Sequence, residues 1–441
     1  MDNSTGMVPP GEHEQPGQPY QPYLSQAQSS AVTPAAQTSA YGNNAAGPTG
    51  SQAGISSRQR VLAIGIGLLS LFLIAAAFVV KGEPERFVTV GLQFVPLAIL
   101  AALAYGALRS TTAAVFTYVW LIILMLLVLL NSFASVLIVV ANIDVIMGQQ
   151  TSGVRPTLDE IFKPGAGEAL LWTTLLLMLS VVVSLAMLLR PVRVLMSKIM
   201  PVDPDNFVHK IGLSILTLIL FTSFVPLIAL GGRPPILELI NSRALDNIGA
   251  EASIGVRPVD LIYQFVWTIP ATLVAAGWPI VRRFPAVLVR LGMVRPSLKQ
   301  VLFGVGAGVA LAAFALFGLD PGVNSLWKSL GWEPTDVQAF EKLLSQLVTP
   351  LGAVLIGVTA GVGEEMAVRG LLQPRIGLIA SNLVFTAFHA FQYGVDALLS
   401  VFIVGLVLGV IRAKSNTTTS AIVHGVYDFV LIMTSVIING Q

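Results

Sequence analysis

The chain has 441 residues, of which 54% are hydrophobic and only 11% are charged, and its net charge is +2 at pH 7. Because soluble domains carry about a quarter charged residues, this composition excludes a soluble protein and indicates an all-α polytopic membrane protein. The small net charge argues against nucleic acid as a partner. The absence of cysteine excludes disulfides, thiolate metal sites and a cysteine nucleophile.

The first 57 residues predict a disordered cytoplasmic tail. They are rich in Gln, Ser, Ala, Pro and Gly and contain no Lys or Arg. Such a composition cannot bury enough apolar surface to fold. The tail has no basic cluster followed by an apolar core, so no cleavable signal peptide is expected. A plain polar tail is the preferred interpretation; in the alternative, Tyr20, Tyr23 and Tyr41 contact an unknown partner.

Apolar segments follow the tail, each near the ~20 residues that a spanning helix needs. We place eleven of them at about 61–80, 87–107, 113–140, 168–189, 210–231, 260–281, 299–319, 350–373, 377–392, 396–412 and 417–438. Residues 58–297 are predicted to form an N-terminal transmembrane region of about six helices. Residues 298–441 are predicted to form a second domain, whose four C-terminal helices make the catalytic core.

The loops predict an orientation. Basic residues are more frequent in the loops that share a side with the N-terminus, and most acidic residues lie in the opposite loops. The positive-inside rule therefore places the N-terminus in the cytoplasm and the C-terminus outside. We expect an integral protein of a bacterial plasma membrane, in contact with the lipid bilayer.

Two further patterns are structural. Gly304 and Gly308 are interpreted as a close helix–helix contact, because the strand that a nucleotide-binding glycine loop requires is missing. Phe340 and Leu343 follow one apolar helix face, which predicts an interfacial helix that anchors the chain or covers a site as a lid. Asp396 is interpreted as an ordinary loop residue and Asn382 as a helix cap.

Three polar motifs stand out in the last four spans. They are Glu364-Glu365-x3-Arg369, Phe385-x3-His389 and His424-x3-Asp428. Ionisable groups at bilayer depth are costly unless they are paired or solvated, so they are candidate functional residues. Residues four apart in a helix lie on one face, which predicts a Glu365–Arg369 pair, whereas Glu364 points about 100° away and is free for chemistry.

The motifs also lie at matched depth. Counted from the nearest predicted cytoplasmic turn at ~1.5 Å per residue, Glu364, His389 and His424 are all roughly 15–18 Å into the membrane. A single buried histidine is often only a packing residue. A set of groups from three helices at one depth instead indicates a catalytic site.

This residue set can activate water in two ways. A carboxylate beside an imidazole can act as a general base while a second histidine with a carboxylate stabilises an oxyanion. Alternatively, the same side chains can hold a zinc ion with an open position for water, the candidate ligands being Glu364, His389, His424 and Asp428. The residues themselves leave both mechanisms open.

The three motifs resemble those of the CPBP family, the CAAX-processing and bacteriocin-processing (Abi) intramembrane proteases that include the type II CAAX prenyl endopeptidases. Arg369-Gly370-Leu371-Leu372 and the glycines Gly405 and Gly409 are similar too, and the resemblance covers about 298–438. It implies that Glu364 with His389 activates water and that His424 with Asp428 stabilises the oxyanion or completes a metal site. It also implies that Glu365, Arg369 and Phe385 give structural support.

The last motif residue departs from the prenyl endopeptidases, which carry Asn where this chain has Asp428. An ionised Asp cannot donate a hydrogen bond, but it is a better metal ligand than Asn.

The resulting prediction is an endopeptidase that cuts a membrane-associated peptide or protein, with its site open towards the cytoplasm. Two alternatives remain. A transporter would use the buried Glu and His residues as a proton relay. A non-catalytic immunity or scaffold protein on the same fold would use them only to hold helices together.

Overall fold

A computed structural model of the chain describes residues 82–142, 157–242 and 256–438, together with the single residues Gly65 and Ala75. The predicted tail, with Tyr20, Tyr23 and Tyr41, lies outside the described residues. So does nearly all of the predicted span 61–80. The described part is all-α, as predicted, and carries an isolated β-bridge between Ala141 and Phe162.

The first ten helices of the described part lie between Glu83 and Arg290. In order they are α1 Glu83–Gly91, α2 Val95–Ala107, α3 Thr111–Val140, α4 Leu158–Ile161, α5 Ala166–Ala186, α6 Arg190–Met196, α7 Phe207–Ala229, α8 Pro235–Asn241, α9 Pro258–Ala275 and α10 Phe284–Arg290.

The later helices carry all three polar motifs. They are α11 Leu298–Phe314, α12 Asp320–Ser329, α13 Val337–Leu344, α14 Pro350–Val358, α15 Gln373–Phe388, α16 Val395–Lys414 and α17 Thr417–Ile438. Three π-helical stretches join them, at Ala315–Leu319, Thr359–Glu364 and Met366–Leu372. The last two continue α14 into the glutamate motif.

Among the described residues, eight helical stretches are long and apolar enough to cross a membrane, or nine if the pair α1 and α2, bent by 41°, is one span. Their exposed surfaces carry many large apolar side chains, as lipid contact requires. The predicted total of eleven stays a prediction, because its first span lies outside the described part.

The stretch Pro350–Phe388 is not one straight crossing, because the chain reverses at Gly377. Gly377 has φ 83° and ψ 173°, which are not helical values. The Arg369 guanidinium carbon lies 4.5 Å from the centre of the Phe385 ring. In a continuous helix these residues would be about 24 Å apart at about 1.5 Å per residue. The glutamate motif and α15 are therefore antiparallel neighbours.

Glycines bring the core helices into close contact around α17. A Cβ atom on Gly304 would lie 2.6 Å from Ile422, and one on Gly308 would lie 2.8 Å from the carbonyl of Val423. The prediction of a close helix contact at these two glycines is confirmed. On the other side of α17, a Cβ atom on Gly361 would lie 2.6 Å from the Ala421 carbonyl. Small residues permit this approach where lipid offers no hydrophobic drive for association.

The amphipathic helix α13 packs its apolar face on α8. Ala339 and Leu343 are buried against Leu237 and Ile240 in one hydrophobic cluster. The start of α13 is capped by Asp336, which accepts hydrogen bonds from the Ala339 amide at 3.0 Å and from the Asn241 side chain at 2.9 Å. The helix predicted from Phe340 and Leu343 therefore exists, and protein covers its apolar face.

Two residues interpreted from sequence as loop and cap features have other roles. Asp396 is buried and accepts hydrogen bonds from the Thr335 amide at 2.8 Å and hydroxyl at 2.6 Å. Asn382 lies inside α15, where its amide donates to the Phe402 carbonyl at 2.8 Å. Both interpretations were wrong, because each side chain joins chain segments that the sequence alone does not place together.

Candidate active site

The glutamate motif lies in a locally widened helix. Glu364 ends one π-helical stretch and Met366 begins the next, with Glu365 between them. A π-helix closes its hydrogen bonds from residue i to i+5, so consecutive side chains are rotated by less than in an α-helix. Such stretches are frequent at functional sites. The directions of Glu364 and Glu365 were predicted with the rotation per residue of an α-helix, and the π-helical stretches change that rotation.

Glu365 is the central buried anion. Its side chain has no exposed surface, and its Oε1 lies 3.7 Å from Arg369 Nε and 3.1 Å from His424 Nδ1. The Ser420 hydroxyl donates to its other oxygen at 2.6 Å. A buried charge is tolerated when it is paired and hydrogen-bonded in this way. The pairing with Arg369 matches the geometry predicted from the sequence, but the contact with His424 was not predicted.

Arg369 links the glutamate motif to α15 and α16. Its side chain is 1% exposed, and its Nη2 donates to the Gly405 carbonyl at 3.0 Å. A Cβ atom on Gly405 would come within 2.1 Å of the Asn382 side chain, so only glycine allows this approach. Gly409 repeats the arrangement, because its carbonyl accepts a hydrogen bond at 2.8 Å from Gln373. The two glycines therefore expose carbonyls to Arg369 of the first motif and to Gln373, four residues after it.

His424 lies between two carboxylates. Its Nδ1 faces Glu365, and its Nε2 lies 3.4 Å from Asp428 Oδ2. The spacing of four residues places His424 and Asp428 on one face of α17, as predicted. His424 is buried, whereas the Asp428 side chain keeps 16% of its surface exposed. The open end of this buried chain of polar groups is therefore at Asp428.

His389 is held through one ring nitrogen only. Its Nδ1 lies 2.9 Å from the Phe385 carbonyl oxygen, which can only accept a hydrogen bond. In the neutral ring the proton must then be on Nδ1, which leaves a lone pair on Nε2. The ring also stacks on Tyr393, with centroids 5.8 Å apart. His389 thus presents a basic nitrogen from a fixed ring.

The Phe385 ring joins the motifs. It lies under the Arg369 guanidinium, its centre is 4.8 Å from that of His389, and it meets His424 edge-on at 6.1 Å. Arginine and aromatic rings attract when the cation lies over the ring face. This single side chain therefore fixes the spacing between residues of all three motifs.

Glu364 differs from its neighbour. It is half-buried, and within the described part of the chain its carboxylate forms no hydrogen bond or ion pair. The structure thus brings Glu365, Arg369, His424 and Asp428 together and ties His389 to them through Phe385. It leaves Glu364 without a direct partner among them.

The zinc hypothesis can be tested against the arrangement of these side chains. Among the described residues, no three His, Asp or Glu side chains are close enough together to hold one metal ion. Both His424 nitrogens face carboxylates, and one His389 nitrogen faces a carbonyl. This donor arrangement does not fit the predicted set of Glu364, His389, His424 and Asp428 around zinc.

Two residues at the site, Ser420 and Tyr393, were not predicted from the sequence. Ser420 lies one helical turn before His424, so the spacing of four could have drawn attention to it. Tyr393 connects the site to α13. Its ring stacks on His389, and its centroid lies 4.9 Å from that of Phe340 in α13. Tyr393 belongs to none of the three motifs and follows the turn after His389, so no helical spacing indicates its position.

Comparison with known protein families relates the polar motifs to an enzyme family. Residues 346–430 match the family described as type II CAAX prenyl endopeptidase Rce1-like. All residues of the three polar motifs fall inside this match. No curated protein and no solved structure matches the chain.

Proposed function

We propose that this membrane chain, whose residues 346–430 match the type II CAAX prenyl endopeptidase Rce1-like family, is an intramembrane endopeptidase in which Glu364 and His389 activate water. The substrate is a membrane-associated peptide or protein, in keeping with the depth of the site. The family match supports a protease of this general kind. It does not favour a proton-coupled transporter or a non-catalytic scaffold.

One observation carries the assignment of roles within the glutamate pair. Glu365 already accepts from Ser420 and faces both Arg369 and His424, whereas the Glu364 carboxylate is unpaired and half-buried. A general base needs a free oxygen within reach of the proton that it removes. Glu364 therefore acts as the base, and Glu365 holds Arg369 and His424 in place.

Hydrolysis begins with the water molecule between Glu364 and His389. Glu364 removes a proton from water while the free Nε2 of His389 accepts a hydrogen bond from the other water hydrogen. The water oxygen forms a bond to the peptide carbonyl carbon, and the carbonyl oxygen becomes an oxyanion. The Nε2–H of His424, held by Glu365 at the opposite nitrogen, donates to that oxyanion. Glu364 then passes its proton to the leaving nitrogen as the C–N bond breaks.

Asp428 has a supporting part in this scheme. As a carboxylate it cannot donate a hydrogen bond to an oxyanion. Asp428 lies 3.4 Å from His424 Nε2 and Glu365 lies 3.1 Å from Nδ1, and a carboxylate only accepts hydrogen bonds, so each imidazole nitrogen carries a hydrogen. Where the prenyl endopeptidases carry Asn, this chain carries Asp428, so the hydrogen-bond donor to the oxyanion is His424.

Cleavage of a fluorogenic prenylated CAAX peptide and of its unprenylated form in proteoliposomes tests the proposal. We expect Glu364→Gln and His389→Ala each to lower kcat by about 10²–10⁴-fold, as removal of a general base does. Glu341→Gln, an exposed carboxylate on α13, is the matched control and should keep full activity. Full turnover by both active-site variants would rule the proposal out.

The same assay separates the two water-activation mechanisms. Because no step here passes through a metal, we expect activity to survive dialysis against a chelator. Activity that disappears with the chelator and returns with added zinc would contradict the assigned role of Glu364.

A further inference from the structure

A second polar cluster lies at the opposite end of α15, near the Gly377 reversal. It contains Arg282 just before α10, Arg290 at the end of α10, Arg375 at the start of α15 and Arg412 near the end of α16. We define these four arginines as the arginine cluster. All are half-buried, so they are accessible but not fully hydrated. The positive-inside prediction places this end of the bundle at the cytoplasmic surface.

The arginines are close enough to affect one another. Burial and the charges of Arg375, Arg282 and Arg412 lower the pKa of Arg290 to about 9. This value is still above 7, so the group stays charged at neutral pH. Several other arginines pair with carboxylates, as Arg190 does with Asp205 at 2.8 Å. Within the described residues, none of Arg282, Arg290 and Arg375 forms such a pair.

Several donors in the cluster are unused. Arg290 Nη1 and Arg375 Nε are buried without a hydrogen-bond partner in the described part. Unsatisfied buried donors of this kind are rare in folded proteins and require an explanation. Arg375 Nη2 donates to the Tyr105 hydroxyl at 3.1 Å, which fixes the direction of its guanidinium. Arg282 is likewise fixed by a bond of 2.7 Å to the Ala276 carbonyl.

A neutral donor is adjacent. His209 lies beside Arg375 and Arg290 at the start of α7. Its Nδ1 accepts a hydrogen bond from the Asp203 amide at 2.9 Å, so the neutral ring carries its proton on Nε2. Like charges with free donors are stable together when an anion lies between them. Guanidinium groups match phosphate oxygens with paired hydrogen bonds.

From this geometry we propose that the arginine cluster binds a phosphate oxyanion, supplied by the headgroup of an anionic phospholipid. The free donors of Arg290 and Arg375 are its primary contacts. Basic pockets between transmembrane helices at the cytoplasmic surface are suited to such headgroups. The site is separate from the proposed active site, although Leu291, next to Arg290, packs its carbonyl on Gly370.

The proposal is tested by thermal unfolding of the full chain in zwitterionic detergent, with phosphatidylglycerol, phosphatidylcholine or inorganic phosphate added. We expect phosphatidylglycerol to raise the Tm and native mass spectrometry to detect retained lipid. Arg290→Gln and Arg375→Gln should each require about tenfold more lipid for the same shift, which corresponds to one lost charge-assisted hydrogen bond. Without added anion, these variants should unfold at or above the wild-type Tm because like-charge repulsion is reduced.

Arg283→Gln is the matched control, because Arg283 is adjacent but exposed. It should leave the lipid dependence unchanged. A Tm rise with inorganic phosphate equal to that with lipid would support the oxyanion site and assign its source to solution. The proposal is overturned if neither anion changes the wild-type Tm, or if Arg283→Gln weakens the response as much as Arg290→Gln.

Discussion

At the scale of single residues, the pair Glu364 and Glu365 shows how adjacent identical side chains come to differ. Glu365 is fully enclosed by Arg369, His424 and Ser420, whereas Glu364 has no partner in the described part of the chain. The spacing of four predicted the Glu365–Arg369 pair, because both residues belong to one helical stretch. It could not predict the His424 contact, which depends on the register between two helices far apart in sequence.

Replacement of Glu365 tests whether its buried carboxylate stabilises the fold. We expect Glu365→Gln to destabilise the protein by about 3–5 kcal/mol, because it leaves the buried Arg369 charge unpaired. Ser420→Ala removes one hydrogen bond to the same carboxylate and should cost about 1–2 kcal/mol. Equilibrium unfolding in mixed micelles measures both, with Glu341→Gln as the exposed control. Equal stability of the Glu365→Gln and Glu341→Gln variants would contradict this description of the site.

At the scale of helices, the register that brings the motifs together comes from glycine contacts. Gly361 precedes Glu365 by one turn and touches the backbone of α17 at Ala421, one turn before Gly425. The sequence marked Gly304 and Gly308 as packing residues. It did not identify Gly361, which lies three residues before a motif that was interpreted only for its charges. The reversal at Gly377, by contrast, agrees with the separate spans predicted at 350–373 and 377–392.

Gly361→Ala should therefore disturb both packing and catalysis. The added methyl group would clash with the Ala421 carbonyl, and overpacking of this kind costs about 1–3 kcal/mol. We also expect lower kcat, because the Glu365–His424 distance must increase. Gly306→Ala is the matched control, since Gly306 lies in a similar helix with no atom near its added Cβ. Equal behaviour of the two variants in unfolding and cleavage assays would refute this role of Gly361.

At the scale of the whole molecule, composition and hydropathy predicted the all-α membrane fold and the positions of the described spans. They could not predict contacts between distant segments, such as Asp396 with Thr335 or Phe340 with Tyr393. The boundary between an N-terminal region at 58–297 and a domain at 298–441 stays a prediction. The family match covers only residues 346–430 within it.

The predicted orientation has a direct test, because the chain contains no cysteine. Single cysteines at exposed positions can therefore be labelled without background. We expect Gln338→Cys to react with a membrane-impermeant maleimide in intact cells, and Lys414→Cys to react only after permeabilisation. The chain crosses the membrane once between α13 and the Gly377 reversal. That reversal lies beside Gly409, near the end of α16, so Gln338 and Lys414 should lie on opposite sides of the membrane. The opposite labelling pattern would invert the orientation.

The π-helical turns on both sides of Glu365 have a consequence for how this region can change in evolution. Each π-helical turn contains more residues than an α-helical turn. The directions of the motif side chains therefore depend on the number of residues between Thr359 and Leu372 as well as on their identity. Loss of one residue would rotate the following side chains by up to about 100° relative to α14. Related sequences should therefore tolerate substitutions here far better than insertions or deletions.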